Sequence, residues 1–535
     1  MTLMTSIATS LPAPRGAVVP EATNAQTRIP LRRLIAFLVM CFGMFMAFLD
    51  IQIVSSSLTE IQAGLSASAD EIPWVQTAYL IAEVIAIPLS GFLSRALGTR
   101  ILFATAAAGF TIASVMCGLS SSISSMIVWR AIQGFIGGGM VPTVFASAYL
   151  IFQGRQQRFI APVIGLIATL APTIGPTVGG YLTDAMSWHW LFFINVIPGV
   201  VVTIVTFMLV DFDKPDLALF DHFDWYGLVA MAGFLGALEY VLEEGPRNDW
   251  FEDQAIVMMT IVSAISAVLF FARVLTARAP IVDLRAFANR NFAVGSLFGF
   301  VLGVGLYGLT YLYPVYLAQV RGYNALMIGE TMFVSGLVMF ASAPLAGQLS
   351  ERFDPRFVLM AGFVLFALGT WQMTYVTSDW DFWELLWPQV FRGIGLMFAI
   401  VPVTNAALGT LAPELVKNAS GLFNLMRNLG GAIGLATINT VFNNRMNLHL
   451  ARLHDATNWA NGAATEMLSN LTARFQGSDA QVMALKQMMG LVRLQAAVMS
   501  YADVFLMMTV LFLGLAALGL LMKRPGAPAE AGAGH

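Results

Sequence analysis

Long apolar runs separated by short polar turns set the pattern of this chain, and the runs have the length of a bilayer crossing. A helix rising 1.5 Å per residue needs roughly 20 apolar residues to span a hydrocarbon core of about 30 Å. Fourteen stretches meet that requirement, with predicted limits 34–57, 72–94, 101–119, 125–151, 159–183, 189–210, 225–244, 255–273, 291–318, 326–349, 356–377, 383–409, 415–443 and 502–523. Nearly all residues in each are apolar, with embedded glycines of the kind membrane helices use for close packing. The predicted fold class is an all-α integral membrane protein. One amphipathic, more polar segment, 444–501, breaks the rhythm before the last run. It reads either as a solvated, partly helical hairpin or as a docking surface for an extracytoplasmic partner, since long ordered loops are often functional.

Composition agrees with lipid as the solvent. Only 11% of residues are charged and 58% are hydrophobic, against roughly 25% charged in a soluble domain. The net charge of -3, from 28 basic and 31 acidic residues, offers no basic field for nucleic acid. Cys41 and Cys117 both lie in apolar runs, too few for a disulfide framework or a metal cluster. Residues 1–33 hold no apolar core and so are not a signal peptide; they and 524–535 read as disordered tails.

The basic residues orient the spans. With the N-terminus inside, eighteen face the cytoplasm: Arg15, Arg28, Arg32, Arg33, Arg95, Arg100, Arg155, Arg158, Lys214, Arg273, Arg278, Arg285, Arg290, Arg352, Arg356, Lys417, Lys523 and Arg524. The short outer loops hold only Arg247 and Arg321. Both termini are therefore expected in the cytoplasm. Arg130, Arg392 and Arg427 remain inside the membrane.

Charges within spans are the candidates for chemistry. No G-x-x-x-x-G-K-[ST] loop occurs, which argues against ATP hydrolysis by this chain. No metal-ligand cluster or hydrolase elbow is evident, so neither enzyme activity nor a cofactor is expected. Energy must then come from ions, and an embedded carboxylate is the simplest proton carrier. Placing a charged one in lipid costs roughly 2.5–3.5 kcal/mol even on a lenient scale, so it should face the bundle interior. Glu83 lies eleven residues from either end of its run, ~16 Å deep and near the midplane. It is read as a proton or substrate group, or alternatively as a structural carboxyl. Asp50 lies ~10 Å from the outer end of the first run, and Arg130 lies at a similar depth. The two are read as a functional pair or as a fixed structural ion pair.

Secondary candidates are Glu239, Arg392 and Arg427. Arg427 enters its span from the inside, where a long side chain can snorkel. Glu243 and Glu244 lie near the outer interface and read as solvated. Met44, Met46, Phe48, Trp74, Tyr79, Tyr307, Tyr311, Tyr313 and Phe398 suit a wide apolar pocket, although each alone fits a core or lipid-facing position equally well.

Two loops echo each other: Gly91-Phe-Leu-Ser-Arg95-Ala-Leu-Gly98-Thr-Arg100 after the second run, and Gly347-Gln-Leu-Ser-Glu351-Arg352-Phe-Asp-Pro-Arg356 after the tenth. Arg130-Ala-Ile-Gln133-Gly134 and Gln389-Val-Phe-Arg392-Gly393 form a fainter pair. Related halves of this kind point to the major facilitator architecture. Further pieces are Leu49-Asp50-Ile-Gln-Ile-Val, Gly175-Pro176-Thr-Val-Gly179-Gly180, Trp188-His-Trp190-Leu-Phe-Phe-Ile-Asn195-Val-Ile-Pro198-Gly199 and Phe223-Asp224-Trp225-Tyr-Gly227. With these pieces in order, the chain resembles the fourteen-span drug:proton antiporters of the major facilitator superfamily, the EmrB/QacA type, over essentially its whole length. The family usually has an aspartate where this chain has Arg95; EmrB-like members also lack it, which places the resemblance in that branch.

The resemblance implies an N-terminal six-helix bundle at 34–210, two extra central helices with linkers at 211–290, and a C-terminal six-helix bundle at 291–523 that includes 444–501. Glu239, on the extra pair, is then expected away from the transport cavity. The resemblance also implies roles for Asp50 and Arg130 in proton coupling or substrate binding, and for Gly91, Arg95, Gly98 and Arg100 in a cytoplasmic gate loop. Related sequences often carry an amide at the position of Glu83, which is therefore expected to tune the charge preference for substrate. Gly175, Pro176, Gly179 and Gly180 form the antiporter motif. Pro176 removes a backbone hydrogen bond and the glycines permit close approach, a pattern that marks exporters in this family.

The function so implied is proton-coupled efflux of hydrophobic or amphipathic compounds across the cell membrane, the inner membrane in a two-membrane cell. A membrane-fusion adaptor and an outer-membrane channel are the partners it implies. Alternatives are export of one endogenous metabolite, fatty acid or siderophore, uptake by symport, and a non-transporting scaffold or sensor.

Overall fold

The computed structural model describes residues 30–522 apart from 69, 153–156, 278–279, 458–460 and 476–478. The expected tails, and Arg15, Arg28, Arg155, Arg278, Lys523 and Arg524, lie outside the described residues, as does the side chain of Arg158. The described chain is helical throughout: α1 (Leu31–Ser56), α2 (Leu58–Leu65), α3 (Trp74–Ala96), α4 (Gly98–Gly118), α5 (Ile123–Gly137), α6 (Met140–Ile151), α7 (Gln157–Ala185), α8 (Trp190–Phe193) and α9 (Val196–Leu209) precede a linker. Then come α10 (Trp225–Glu244), α11 (Gln254–Thr276), α12 (Arg290–Gln319), α13 (Ala325–Arg352), α14 (Pro355–Gln372), α15 (Phe382–Leu408), α16 (Pro413–Ala456), α17 (Gly462–Thr472) and α18 (Ala480–Leu518).

Helices fill all fourteen predicted stretches. Twelve described helical stretches are long and apolar enough to cross a membrane on that count alone. The other two stretches are those of α7 and α16; α16 carries Asn418, Asn424 and Arg427 on its buried side. Polar residues in the turns start the helices: the side chains of Asp224, Asp253, Asn289, Asn324 and Asp354 each accept amide hydrogen bonds in the first turn that follows, satisfying donors that a helix start leaves open. Asp381 and Glu384 form a reciprocal capping box on α15.

Three boundaries differ from expectation. Residues 31–33, read as the end of a tail, form the first turn of α1, where Arg32 Nη2 donates to the Met208 carbonyl at 3.0 Å. The run 125–151 is broken at Gly138 and Gly139, which yields α5 and α6. The polar segment 444–501 is largely helix: α16 and α18 continue into it, and α17 packs on α18 through a small cluster of Leu468, Leu471, Ala484 and Met488. The partly helical hairpin is what the structure shows.

Packing separates two groups. Within the first, α1 packs on α7 and α9, α3 on α5, and α4 on α5 and α9; within the second, α12 packs on α16, α14 on α15 and α18, and α13 on α15. The groups meet where α3 and α6 touch α16 and where α7 touches α13. Helix α10 packs on α11, α3 and α16, so it leans on the seam rather than standing apart. Ile261, Ile265, Val268 and Leu269 of α11 are exposed, an apolar face suited to lipid. Exposed Trp371, Tyr375, Trp383 and Trp387 gather where α14 hands over to α15, as interfacial aromatic residues do.

Candidate functional site

Glycines bring the functional helices into backbone contact. A Cβ on Gly134 would strike the Tyr79 carbonyl, and one on Gly138 would sit 2.9 Å from the Glu83 carbonyl. Helix α5 therefore lies directly on α3, and Arg130, one turn before Gly134, is set beneath the Tyr79 ring at 4.3 Å from its centroid. The stretch that supplies Asp50 and the stretch that supplies Arg130 meet, as the fold implied by the resemblance allows.

Asp50 and Arg130 are both fully buried, and Arg130 Nη1 lies 2.6 Å from Asp50 Oδ2. The remaining valences of the carboxylate are filled: Asn195 Nδ2 donates to Oδ1 at 2.7 Å and Gln133 Nε2 at 3.2 Å. Arg130 also donates through Nη1 to Gln133 Oε1 at 2.9 Å and through Nε to the Val75 carbonyl at 3.1 Å. Asn195 Nδ2 reaches Ser114 Oγ at 3.1 Å, and Ser114 donates to the Phe192 carbonyl at 2.9 Å. Five helical segments thus close on one ion pair. Three donors converging on one carboxylate fit its charged form. Asn195 and Ser114 were missed as partners; Asn195 stood in a quoted motif, but nothing in the sequence pointed it at Asp50.

Glu83 differs. It is 5% exposed and has no hydrogen bond or ion pair among the described residues. The cation acting most strongly on it is Arg427 of the opposite group, followed by Arg130. Arg427 does not snorkel: it is buried, with its guanidinium 5.7 Å from the Phe48 ring and 5.5 Å from the Phe145 ring. Tyr307, also in the field of Glu83 and Arg427, donates to Asn428 Oδ1 at 3.2 Å. Glu83 lies on α3, which packs against α16 of the other group, and α16 carries the buried Arg427.

The acids on α10 are buried or half-buried. Glu239 is buried on α10, which packs against α3 and α16. Glu244 is buried rather than solvated; it accepts the Thr77 hydroxyl at 3.4 Å and lies 3.8 Å from Arg247. Arg392 is buried on α15, donating through Nη2 to Ser335 Oγ at 2.5 Å beneath the Tyr313 ring.

Gly175 and Gly179 make close contacts. A Cβ on Gly175 would collide with Gln52, and one on Gly179 would lie 3.0 Å from the Ile53 carbonyl. Both press α7 onto α1 just beyond Asp50, and Gly180 is buried beside them. Helix α7 continues unbroken through Pro176, and Thr177 meets Gly329 of α13. At the loop, Gly91 abuts the backbone of Lys417 and Asn418, Gly98 adopts φ +77°, Arg95 lies 6.0 Å from the Phe92 ring, and Arg100 caps the Phe207 ring at 4.5 Å.

Against known proteins, the family model described as Major Facilitator Superfamily matches residues 40–435. The colistin resistance protein EmrB of Acinetobacter baumannii is 43% identical over 94% of this chain and 98% of its own. The multidrug export protein EmrB of Escherichia coli K12 is 30% identical over 92% of this chain and 96% of its own. Among solved structures, the major facilitator proton:xylose symporter XylE aligns with a TM-score of 0.57 over 93% of this chain and all of that one, at 12% identity, a likeness of fold.

Proposed function

The chain belongs to the major facilitator superfamily, in its EmrB-like branch of drug:proton antiporters, and on that premise we propose that it exports amphipathic compounds against an inward proton flux carried by Glu83. The observation behind this reading is a buried carboxyl with no hydrogen-bonding partner at the seam, opposed by Arg427 from the other group. Such a group can take up a proton when the seam opens to one side and release it when Arg427 or a substrate displaces it. Asp50, by contrast, is held by three donors. We assign the Asp50–Arg130 pair to keeping the first group of helices together and to communicating with Glu83 through the field of Arg130. The segments 34–210 and 291–523 act as the two moving bundles, and 211–290 as the extra pair.

The topology proposed is fourteen spans with both termini cytoplasmic, supported by the basic asymmetry and by helices in all fourteen stretches. Proteoliposomes containing the purified chain, with a proton gradient imposed, should show gradient-dependent movement of cationic, neutral or anionic amphiphiles. Glu83→Gln keeps size and polarity while removing titration, and should cut that rate at least about tenfold, or 1.4 kcal/mol, with expression intact. Wild-type rates in Glu83→Gln would remove it as the carrier.

The hairpin 444–501 is proposed as the contact for a membrane-fusion adaptor, supported by its helical order and apolar cluster. Deleting 455–490 should leave insertion intact and abolish adaptor co-purification; an intact complex would remove the hairpin from the interface.

A further inference from the structure

At the end of the molecule that the basic residues assign to the cytoplasm, one carboxylate joins segments from both groups of helices. Asp213 lies in the linker after α9, whose Pro215 packs against Gly98 at the turn from α3 into α4. Leu97, at the start of α4, supplies no capping side chain. Asp213 supplies the cap instead: Oδ1 and Oδ2 accept the Thr99 amide at 3.0 and 3.1 Å, and Oδ2 accepts the Thr99 hydroxyl at 2.8 Å. A carboxylate at a helix N-terminus is further favoured by the helix dipole.

The same Oδ2 is ion-paired with the ammonium of Lys417, near the start of α16 in the opposite group. Lys417 Nζ also donates to the Ser94 carbonyl at 3.0 Å, in the last turn of α3. The Asp216 amide donates to the Ala96 carbonyl at 3.0 Å. Beside the pair, the Asn418 side chain exchanges hydrogen bonds of 2.6 and 3.2 Å with the backbone of Asp283, in the linker before α12. The Asp213 and Lys417 side chains are 14% and 12% exposed, so salt and water screen this pair far less than a surface pair.

We propose that Asp213 is the positioning residue of the transport cycle at this end: it holds the two groups of helices closed through Lys417, and release of Lys417 accompanies opening. This rests on the reading of the chain as an alternating-access transporter. Three hydrogen bonds tie Asp213 to Thr99, so the carboxylate stays with the first group of helices. The contact that parts is the one to Lys417.

The test uses the full-length protein in detergent with a reporter cysteine at Asn405. In the parent this half-buried side chain accepts a hydrogen bond from Tyr149 across the same closure, at 3.1 Å; Cys41 and Cys117 are buried. Lys417→Met should raise the maleimide labelling rate about fivefold or more, the scale of a typical coupling between two states. Lys417→Arg should stay near the parent. Asp213→Asn should match Lys417→Met, and if it fails to fold the two Lys417 variants decide. A folded Lys417→Met protein labelled at the parental rate would overturn the latch and leave Asp213 as a helix cap alone. The measurement needs neither substrate nor proton gradient. Faster labelling in a chain that moves no compound would keep the latch and overturn the export reading.

Discussion

Helices α5 and α15 bury the same cation in matched surroundings and answer its charge differently. Arg130 and Arg392 are 0% and 5% exposed, lie 4.3 and 4.7 Å from the ring centroids of Tyr79 and Tyr313, and share a helix turn with Gln133 and Gln389. Each helix carries a glycine, Gly134 or Gly393, where a neighbouring helix comes close. In the first group a carboxylate answers the charge, and two further side chains complete it. In the second the acceptor is the Ser335 hydroxyl, itself donating to Gln389 Oε1 at 3.0 Å, and no carboxylate forms an ion pair with Arg392 among the described residues. A guanidinium is never deprotonated in a protein, so the Arg392 site has a fixed charge and nothing to titrate. The buried carboxyls Asp50, Glu83, Glu239 and Glu244 lie on α1, α3 and α10.

The comparison breaks most directly at Asp50. Asp50→Asn leaves Arg130 with neutral partners, as Arg392 already is, and removing one member of a buried pair costs about 3–5 kcal/mol. Thermal unfolding in detergent should show it as the largest fall among the substitutions named here, well below Glu83→Gln. A melting temperature equal to the parent would mean that the Arg130 site tolerates a lone cation, and the two sites would no longer differ. The glycines sharpen the contrast. A Cβ on Gly134 strikes a backbone carbonyl, whereas on Gly393 it meets Val338 Cγ1 at 3.1 Å and the Ser335 carbonyl at 3.2 Å, contacts that a small shift can relieve. Gly134→Ala should therefore lose about 1 kcal/mol more stability than Gly393→Ala, within the range for overpacking; equal losses would place equal demand on the two crossings. The smallest effect belongs to Arg392→Met, which removes a buried charge that has no carboxylate. Its stability should be unchanged or higher by about 1 kcal/mol, and a loss approaching that of Asp50→Asn would reveal a counter-ion for Arg392.

Run length alone located the helices, because a bilayer imposes a one-dimensional criterion: each crossing must be apolar for roughly 20 residues and must satisfy its backbone internally. The prediction for 225–244 coincides with α10, since Asp224 caps one end and the polar residues resume at the other. The same criterion is blind where helix and lipid part company. Helix α16 runs on to Ala456 because polar residues can stay helical outside an apolar layer, and Gly138–Gly139 interrupt a run whose hydropathy never changes. Similar positions along their runs, together with the fold that the resemblance implies, are what paired Asp50 with Arg130. Partners that depend on how each helix is rotated and which neighbour it faces were not legible. Asn195 and Ser114 converge on Asp50 from helices far apart in sequence, Glu239 and Glu244 are buried because α10 leans on α3 and α16, and Asp213 caps a helix that began before its own linker was reached. The sequence by itself determined which stretches had to be helical and apolar enough to cross a membrane, and so which residues they carry. Only the tertiary structure decided which of them would touch, because hydropathy sets a residue's depth along the membrane normal, while contact depends on the rotation and crossing of helices packed through their glycines.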